Sequence, residues 1–422
     1  MRRLNLRQFG SLGHGNIARY FLALASGTML ALLISFLVQA YLSRRVSVET
    51  FGQVNYARIT VGYIILALNF GFETYFLRST VSEKLDVGRA TFTQLAARLP
   101  LACLSILALT LWGALEGWSS AYLILALYSL TTLAYTFNLD WLFQARERFS
   151  ALSTLNVGRS VLVLVLTVVL VRGASSANAV TYVAIVAAAE LTRVAFQWAW
   201  LRPTPRRIPA RDITAVLRTS IAISASFFMT AMYYNVDTLM LGHFKGATTV
   251  GIYTAAYSLL TLAIMPTNLL YQAFAPTLAR NPWDWPSFKR YALATTGLAL
   301  VVFLGLITLH GFAIRVVYGA KYAAAAPVLF FLSFNVLSSY VAGAFANPVN
   351  IWGHHRTYLG IVAGGALVNV ALNFVLIPRF GIPAAVATTI ASELVVAVTA
   401  AVFVLRGFRR RGRAAGIELE TA

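Results

Sequence analysis

The residues able to do chemistry in this chain are a few ionisable side chains set inside long apolar runs. The first half has Arg58, Glu73, Asp140, Arg159, Glu190 and Arg193, and the second half has only Asp237 and Glu393. Placing such a charge in hydrocarbon costs several kcal/mol, so these groups line polar cavities, pair with one another or reach an interface. A guanidinium grips phosphate through two parallel hydrogen bonds. Arg58, Arg159 and Arg193, with Glu73 and Glu190 beside them, therefore predict a cavity for a phosphate-bearing ligand. A plainer reading stands next to each: Glu190 and Arg193 are three residues apart and share a helix face, so they either neutralise each other or line that cavity. Arg58, one turn inside its run, either lines the cavity or snorkels to the outer interface, and Arg159 has the same choice at the inner surface. Asp237 either caps Thr238 or binds a cation. Asn369 and Asn373, four apart, offer amide oxygens to a hard cation or hydrogen bonds to a neighbouring helix.

Enzymatic signatures are missing from the sequence. There is no phosphate-cradling G-x-x-x-x-G-K-[ST], no H-E-x-x-H and no G-x-S-x-G, so the chain is read as a non-enzyme without a resident cofactor. The longest expected outer loop, His310 to Ala326, carries Arg315 and Lys321 but no carboxylate. That argues against a membrane glycan polymerase or ligase. His354 and His355, next to Arg356, read as a solvated loop pair rather than metal ligands. The single cysteine, Cys103, excludes disulfides within the chain and cysteine metal sites.

The elements that must hold these residues follow from composition. Of 422 residues, 59% are hydrophobic and 11% charged, with mean hydropathy +0.72, whereas soluble domains carry about 25% charged residues. The expectation is an all-α integral membrane protein with twelve transmembrane helices, each of about 20 residues. The runs are Tyr20–Leu42, Val54–Leu77, Leu99–Leu115, Ala121–Phe143, Leu152–Val171 and Ala179–Leu201. The remaining six are Thr219–Leu241, Gly251–Leu278, Tyr291–Phe312, Pro327–Ala346, Tyr358–Ile377 and Pro383–Leu405. The first is longer than the h-region of a signal peptide. Ahead of it, Arg2, Arg3, Leu4, Leu6, Arg7 and Phe9 suggest a basic segment in the inner headgroup layer.

The net charge of +20 follows from orientation and needs no nucleic acid. With these runs, 24 basic residues fall on the side of the termini, Arg98 among them, and seven on the other. Both termini are then cytoplasmic. Residues 202–218 form a basic, proline-containing cytoplasmic linker between an N-terminal lobe (1–201) and a C-terminal lobe (219–405), followed by a tail (406–422). Six helices per lobe predict pseudo-twofold symmetry along the membrane normal. Weak repetition supports it: Thr50-Phe-Gly-Gln-Val-Asn-Tyr-Ala57 answers Thr249-Val-Gly-Ile-Tyr-Thr-Ala-Ala256, each with a glycine, Gly52 or Gly251, at the turn into the next helix.

Three segments carry a family resemblance: Tyr41–Tyr56, Asp237–Gly246 with Val250–Tyr257, and Asn373–Ala385. In order and spacing the chain resembles the polysaccharide-repeat (Wzx-like, O-antigen) flippases of the multidrug/oligosaccharidyl-lipid/polysaccharide (MOP) exporter superfamily. The resemblance implies two six-helix lobes that alternate access to a central cavity in the bacterial inner membrane. The implied cargo is an undecaprenyl-pyrophosphate-linked oligosaccharide, an O-antigen or exopolysaccharide unit, and the implied partners are the polymerase and glycosyltransferases of its pathway. It also implies a Na⁺ or H⁺ coupling site at Asp237, Asn369, Asn373, the Ala385 carbonyl and Thr389. Asn373 stands where the pattern has Asp, leaving one formal charge instead of two. The alternatives are a cation-coupled multidrug or metabolite exporter of the same superfamily, and the polymerase or ligase named above.

Overall fold

A backbone in hydrocarbon has to satisfy its own polar groups, and helices do so within one segment. In the computed structural model, which describes residues 14–82, 86–117, 119–173, 175, 177–206 and 209–414, that rule is followed throughout. The described residues form fourteen helices and their connections, without a strand. They are α1 (His14–Arg45), α2 (Val48–Asn69), α3 (Phe72–Ser82), α4 (Val87–Leu115), α5 (Ser120–Thr136), α6 (Asp140–Ala145) and α7 (Phe149–Leu170). After these come α8 (Ala177–Leu201), α9 (Ala210–Lys245), α10 (Ala247–Arg280), α11 (Trp285–Tyr318), α12 (Ala325–Ile351), α13 (His355–Phe380) and α14 (Ile382–Ala414). Among the described residues eleven stretches are long and apolar enough to cross a membrane, so the chain is a multi-pass membrane protein. The expected run Thr219–Leu241 lies within the 36-residue α9, which is not one of the eleven. The expected N-terminal basic segment lies outside the described residues, as does the tail beyond residue 414.

Several boundaries differ from the hydropathy reading. Asp86 caps α4 by accepting from the Arg89 N–H at 2.8 Å, so this helix starts twelve residues before the expected Leu99 and runs through Pro100. Arg98, expected at the cytoplasmic end of its run, becomes an interior residue. Helix α9 likewise begins inside the expected linker, with Asp212 in its first turn, where its charge suits the helix dipole. Asp212 also takes a bidentate pair from Arg89, at 2.5 and 2.7 Å. The expected loop from His310 to Ala326 shrinks to Gly319–Ala324, because α11 continues to Tyr318 and stops only at Gly319, φ 90°.

Two of the expected runs are broken helices. The stretch Val48–Thr80 is interrupted at Phe70 and Gly71, both left-handed (φ 44° and 71°), which separates α2 from α3. The stretch Ser120–Ala145 is interrupted at Phe137–Leu139, between α5 and α6. An apolar core packs the short segments: Phe72 and Phe76 of α3 meet Trp141, Leu142 and Phe143 of α6, with Phe76 and Trp141 rings 5.5 Å apart.

The chain divides into two compact units, Met1–Ser47 with Thr60–Phe227, and Val48–Ile59 with Phe228–Ala422. The first three turns of α2 thus pack with the second unit. There Phe51 sets its ring edgewise against Tyr318 and Tyr322, centroids 6.1 and 5.7 Å apart. The two glycines singled out by the repeat meet at this place. A Cβ on Gly52 would run into the Ala247 carbonyl, and one on Gly251 into the Val48 carbonyl. Both glycines are needed because two backbones cross without room for a side chain. Gly52→Ala is expected to destabilise the protein by about 1–3 kcal/mol, read as a lower melting temperature in detergent. Gly62→Ala in the same helix has open space around it and should leave the melting temperature unchanged; equal effects would refute the close-approach argument.

Candidate functional site

The first unit contains a continuous ionised network built on the two helix breaks. Where a helix is interrupted its carbonyls and amides lose their partners, and in lipid something else must supply them. Around the α2–α3 break, Arg98 Nε donates to the Leu68 carbonyl (3.2 Å) and Nη2 to Asn69 Oδ1 (3.0 Å). Around the α5–α6 break, Gln94 Nε2 donates to the Asn138 carbonyl (2.8 Å) and Trp198 Nε1 to the Phe137 carbonyl (2.8 Å). Gln197 Oε1 accepts from the Leu139 N–H (3.0 Å).

These side chains are held in turn by charge. Glu73, in the first turn of α3, takes the Tyr135 hydroxyl at 2.7 Å and faces Arg98 Nη2 at 3.7 Å. Asp140, in the first turn of α6, takes Arg193 Nη1 at 2.8 Å and Gln197 Nε2 at 2.6 Å. Arg193 reaches Glu190 with its Nε (3.0 Å), and Glu190 reaches Arg159 Nη1 (2.8 Å). Asn138 joins the two groups of ion pairs, donating to Glu73 (3.4 Å) and accepting from the Asp140 N–H (3.1 Å); with three guanidiniums and three carboxylates the network carries no net charge. Arg98 and Arg193 are the sealed members, with side-chain exposures of 0% and 8%, against 25% for Arg159 and 22–26% for the carboxylates. Of the two readings of Glu190 and Arg193, the pair is formed, and Arg159 joins it, because α7 and α8 bring Glu190 between the two arginines.

Arg58 differs. It stands ten residues into α2, about 15 Å along the axis from Val48 at 1.5 Å per residue. Its side chain is exposed and its Nε and Nη2 donate only to Asn55 Oδ1, at 3.3 and 3.2 Å. No carboxylate pairs with it among the described residues. Arg58 belongs to the second unit, and the other three arginines to the first.

The second unit also holds the expected cation residues, in two hydrogen-bonded groups. Asp237, buried on α9, accepts from the Thr238 N–H (2.6 Å) and hydroxyl (3.2 Å) on one oxygen and from the Tyr253 hydroxyl on the other. On α13 and α14, Asn373 donates to Asn369 Oδ1 (2.9 Å) and accepts from the Thr388 hydroxyl; Asn369 donates to Ser392 Oγ (3.2 Å). The hydroxyls of Thr388 and Thr389 both donate to the Ala385 carbonyl, at 3.0 and 2.8 Å, and Thr389 also interacts with Tyr253. A hard cation needs about six free oxygens. Here the amide, carbonyl and carboxylate oxygens are already engaged by protein donors, and a metal ion would have to displace Tyr253 and Thr388. His354 and His355 separate: the first packs against Trp283 and Phe403, the second meets Asn350 Oδ1 at 2.8 Å.

The family model described as "Polysaccharide biosynthesis protein" matches residues 17–281. This chain belongs to that family. A stretch of 100 residues is 34% identical to the teichuronic acid biosynthesis protein TuaB of Bacillus subtilis (strain 168), covering 22% of this chain and 21% of that protein. Among solved structures, the fold resembles the lipid II flippase MurJ in an inward closed conformation, at 12% identity and TM-score 0.73 over 91% of this chain and 87% of that one. It also resembles an inward-facing multidrug resistance MATE family transporter of the MOP superfamily, at 12% identity and TM-score 0.68 over 93% and 98%. The expected polysaccharide-biosynthesis family and the MOP fold are thus found.

Within this family member, the sequence reading missed Arg98, Gln94, Asn138, Gln197 and Tyr253. The glutamines and Asn138 carried a signal, since a polar amide in an apolar run needs a partner; Arg98 was hidden by the misplaced start of its helix. Removing one member of a buried pair strands the other, at about 3–5 kcal/mol. Arg193→Met is expected to lower the melting temperature steeply or abolish monodisperse protein. Adding Asp140→Leu to Arg193→Met should recover part of the loss, and strictly additive losses would show that the two are not coupled.

Proposed function

We propose that this protein is a flippase for a lipid-linked glycan: an undecaprenyl-pyrophosphate-linked O-antigen or exopolysaccharide unit, moved from the cytoplasmic to the outer leaflet of the bacterial inner membrane by alternating access, with both termini cytoplasmic. The observation that carries the reading is Arg58. In a polysaccharide biosynthesis protein with the fold of a lipid II flippase, it is an exposed guanidinium ten residues into a spanning helix, without a carboxylate partner among the described residues. Such a group is suited to a pyrophosphate, which it would hold through paired charge-assisted hydrogen bonds. Glu73 and Glu190, about a quarter exposed, would accept from sugar hydroxyls. Arg159, held by one direct bond to Glu190, keeps donors for a phosphate oxygen, whereas Arg193 acts as a positioning residue. The polyprenyl tail stays in the bilayer, so only the head needs shelter. Polymerase and glycosyltransferases of the same pathway would act after and before this step.

For coupling, the arrangement around Asp237 favours a proton over Na⁺: a proton needs one carboxylate oxygen, while a metal ion needs several that are engaged here. A cation-coupled drug exporter remains the second reading, supported by the MATE fold.

In a strain whose surface glycan depends on this protein, Arg58→Ala is expected to lower glycan export about 10- to 100-fold, the worth of a charged hydrogen bond, with protein level unchanged. Unaltered glycan together with raised drug susceptibility would favour the exporter instead. Asp237→Asn should abolish the dependence of transport on the proton gradient in vesicles; wild-type dependence would reject the coupling role.

A further inference from the structure

The second unit has a cavity of about 460 Å³ at the end where α13 begins and α14 finishes. Arg406 and Arg410 line it together with Thr357 and Thr399, and Ile361, Val402, Phe403 and the Trp283 indole supply its apolar surface. Along α14 these residues recur at steps of three to four, so they form one stripe. Arg410 and Arg406 are about 6 Å apart along the axis, and Val402 and Phe403 follow within one more turn. The result is a groove with two positive heads and an apolar shaft.

The charge there is uncompensated. Arg406 and Arg410 are exposed, and neither has a carboxylate partner among the described residues. Asp284, the acidic group next to Trp283 in sequence, is engaged as the cap of α11, accepting from the Ser287 N–H at 2.9 Å. Hydrogen bonds from the Ser287 hydroxyl and N–H hold its carboxyl below the usual range. Arg411 lies over the Trp283 ring at 4.8 Å.

The wall is rigid and held under strain. Trp283 has φ 63°, a left-handed position that costs a bulky residue on the order of 1 kcal/mol or more. It is kept there by Trp352 (4.5 Å) and Phe408 (5.4 Å). Its ring also lies flat on Gly407, where a Cβ would strike it.

We infer that this groove binds an anionic membrane phospholipid, its phosphate between Arg406 and Arg410 and one acyl chain along Ile361, Val402 and Phe403. A phosphate ion alone would leave the apolar shaft unused, and a neutral lipid would leave the two arginines unpaired. Basic pockets between helices at a membrane surface have the electrostatics for this class of ligand. The site is separate from Arg58 and from the ionised network, and does not depend on the cargo.

Native mass spectrometry of the full chain, released from micelles containing phosphatidylglycerol or phosphatidylcholine, tests the assignment. Wild-type protein should retain phosphatidylglycerol and not phosphatidylcholine. Arg406→Gln with Arg410→Gln should weaken that retention roughly thirtyfold, and Ile361→Trp, which fills the shaft but keeps both arginines, should weaken it as well. Melting in neutral detergent checks that each variant is folded; if the double variant is not, Ile361→Trp carries the test. Unchanged phosphatidylglycerol retention in the folded variants would overturn the proposal. So would displacement by inorganic phosphate alone, which would make this a free-anion site, or preferential retention of undecaprenyl phosphate, which would assign it to the carrier lipid.

Discussion

The first unit depends on one arrangement: three arginines and three carboxylates, in two groups joined through Asn138, built on the two places where its spanning helices are broken. A broken helix in hydrocarbon leaves carbonyls and amides without partners, and each would cost several kcal/mol if left so. Arg98, Gln94, Gln197 and Trp198 supply the missing partners. Their own charges and amides must then be satisfied, which brings in Glu73, Asp140, Glu190, Arg193 and Arg159. The network is neutral because a buried excess of either sign could not be sustained. The aromatic core of Phe72, Phe76, Trp141 and Phe143 closes over the same short helices.

Neutrality has a functional consequence. On the proposed reading, a phosphate-bearing cargo would meet no cluster of free positive charge in the first unit and would have to compete with Glu190 for Arg159. Binding by exchange suits a carrier that has to release what it takes up, since a partner is waiting for the arginine when the phosphate leaves. The partly exposed carboxylates give the same surface acceptors for hydroxyl groups.

The second unit is organised differently. Its polar residues are mostly hydroxyls and amides that satisfy one another, as at Asn369, Asn373, Thr388 and Ser392, with Asp237 held by Thr238 and Tyr253. Its close packing is set by backbone approach at Gly52 and Gly251, which ties the start of α2 to α10. At one end of this unit, the aromatic cluster around Trp283 packs beside the arginines of α14.

Much was legible in the sequence. Hydropathy alone determined a multi-pass helical protein, because a chain with so few charges cannot cover a surface in water, and it placed most spans to within a few residues. The glycines of the repeated Thr50 and Thr249 segments could be picked out, as could Glu73, Asp140, Arg159, Glu190 and Arg193 as charges within apolar runs. What hydropathy could not show is where a helix breaks inside a run or which side chains then meet. Asp86 capping moved the start of α4 and buried Arg98; the breaks at Phe70–Gly71 and Phe137–Leu139 decided that Glu73 and Asp140 sit at helix starts. Apart from Glu190 and Arg193, the partners from Arg98 to Arg159 lie on separate helices, and α2 changes unit in mid-course. These outcomes rest on contacts between residues distant in the chain, and such contacts exist only once the helices have packed.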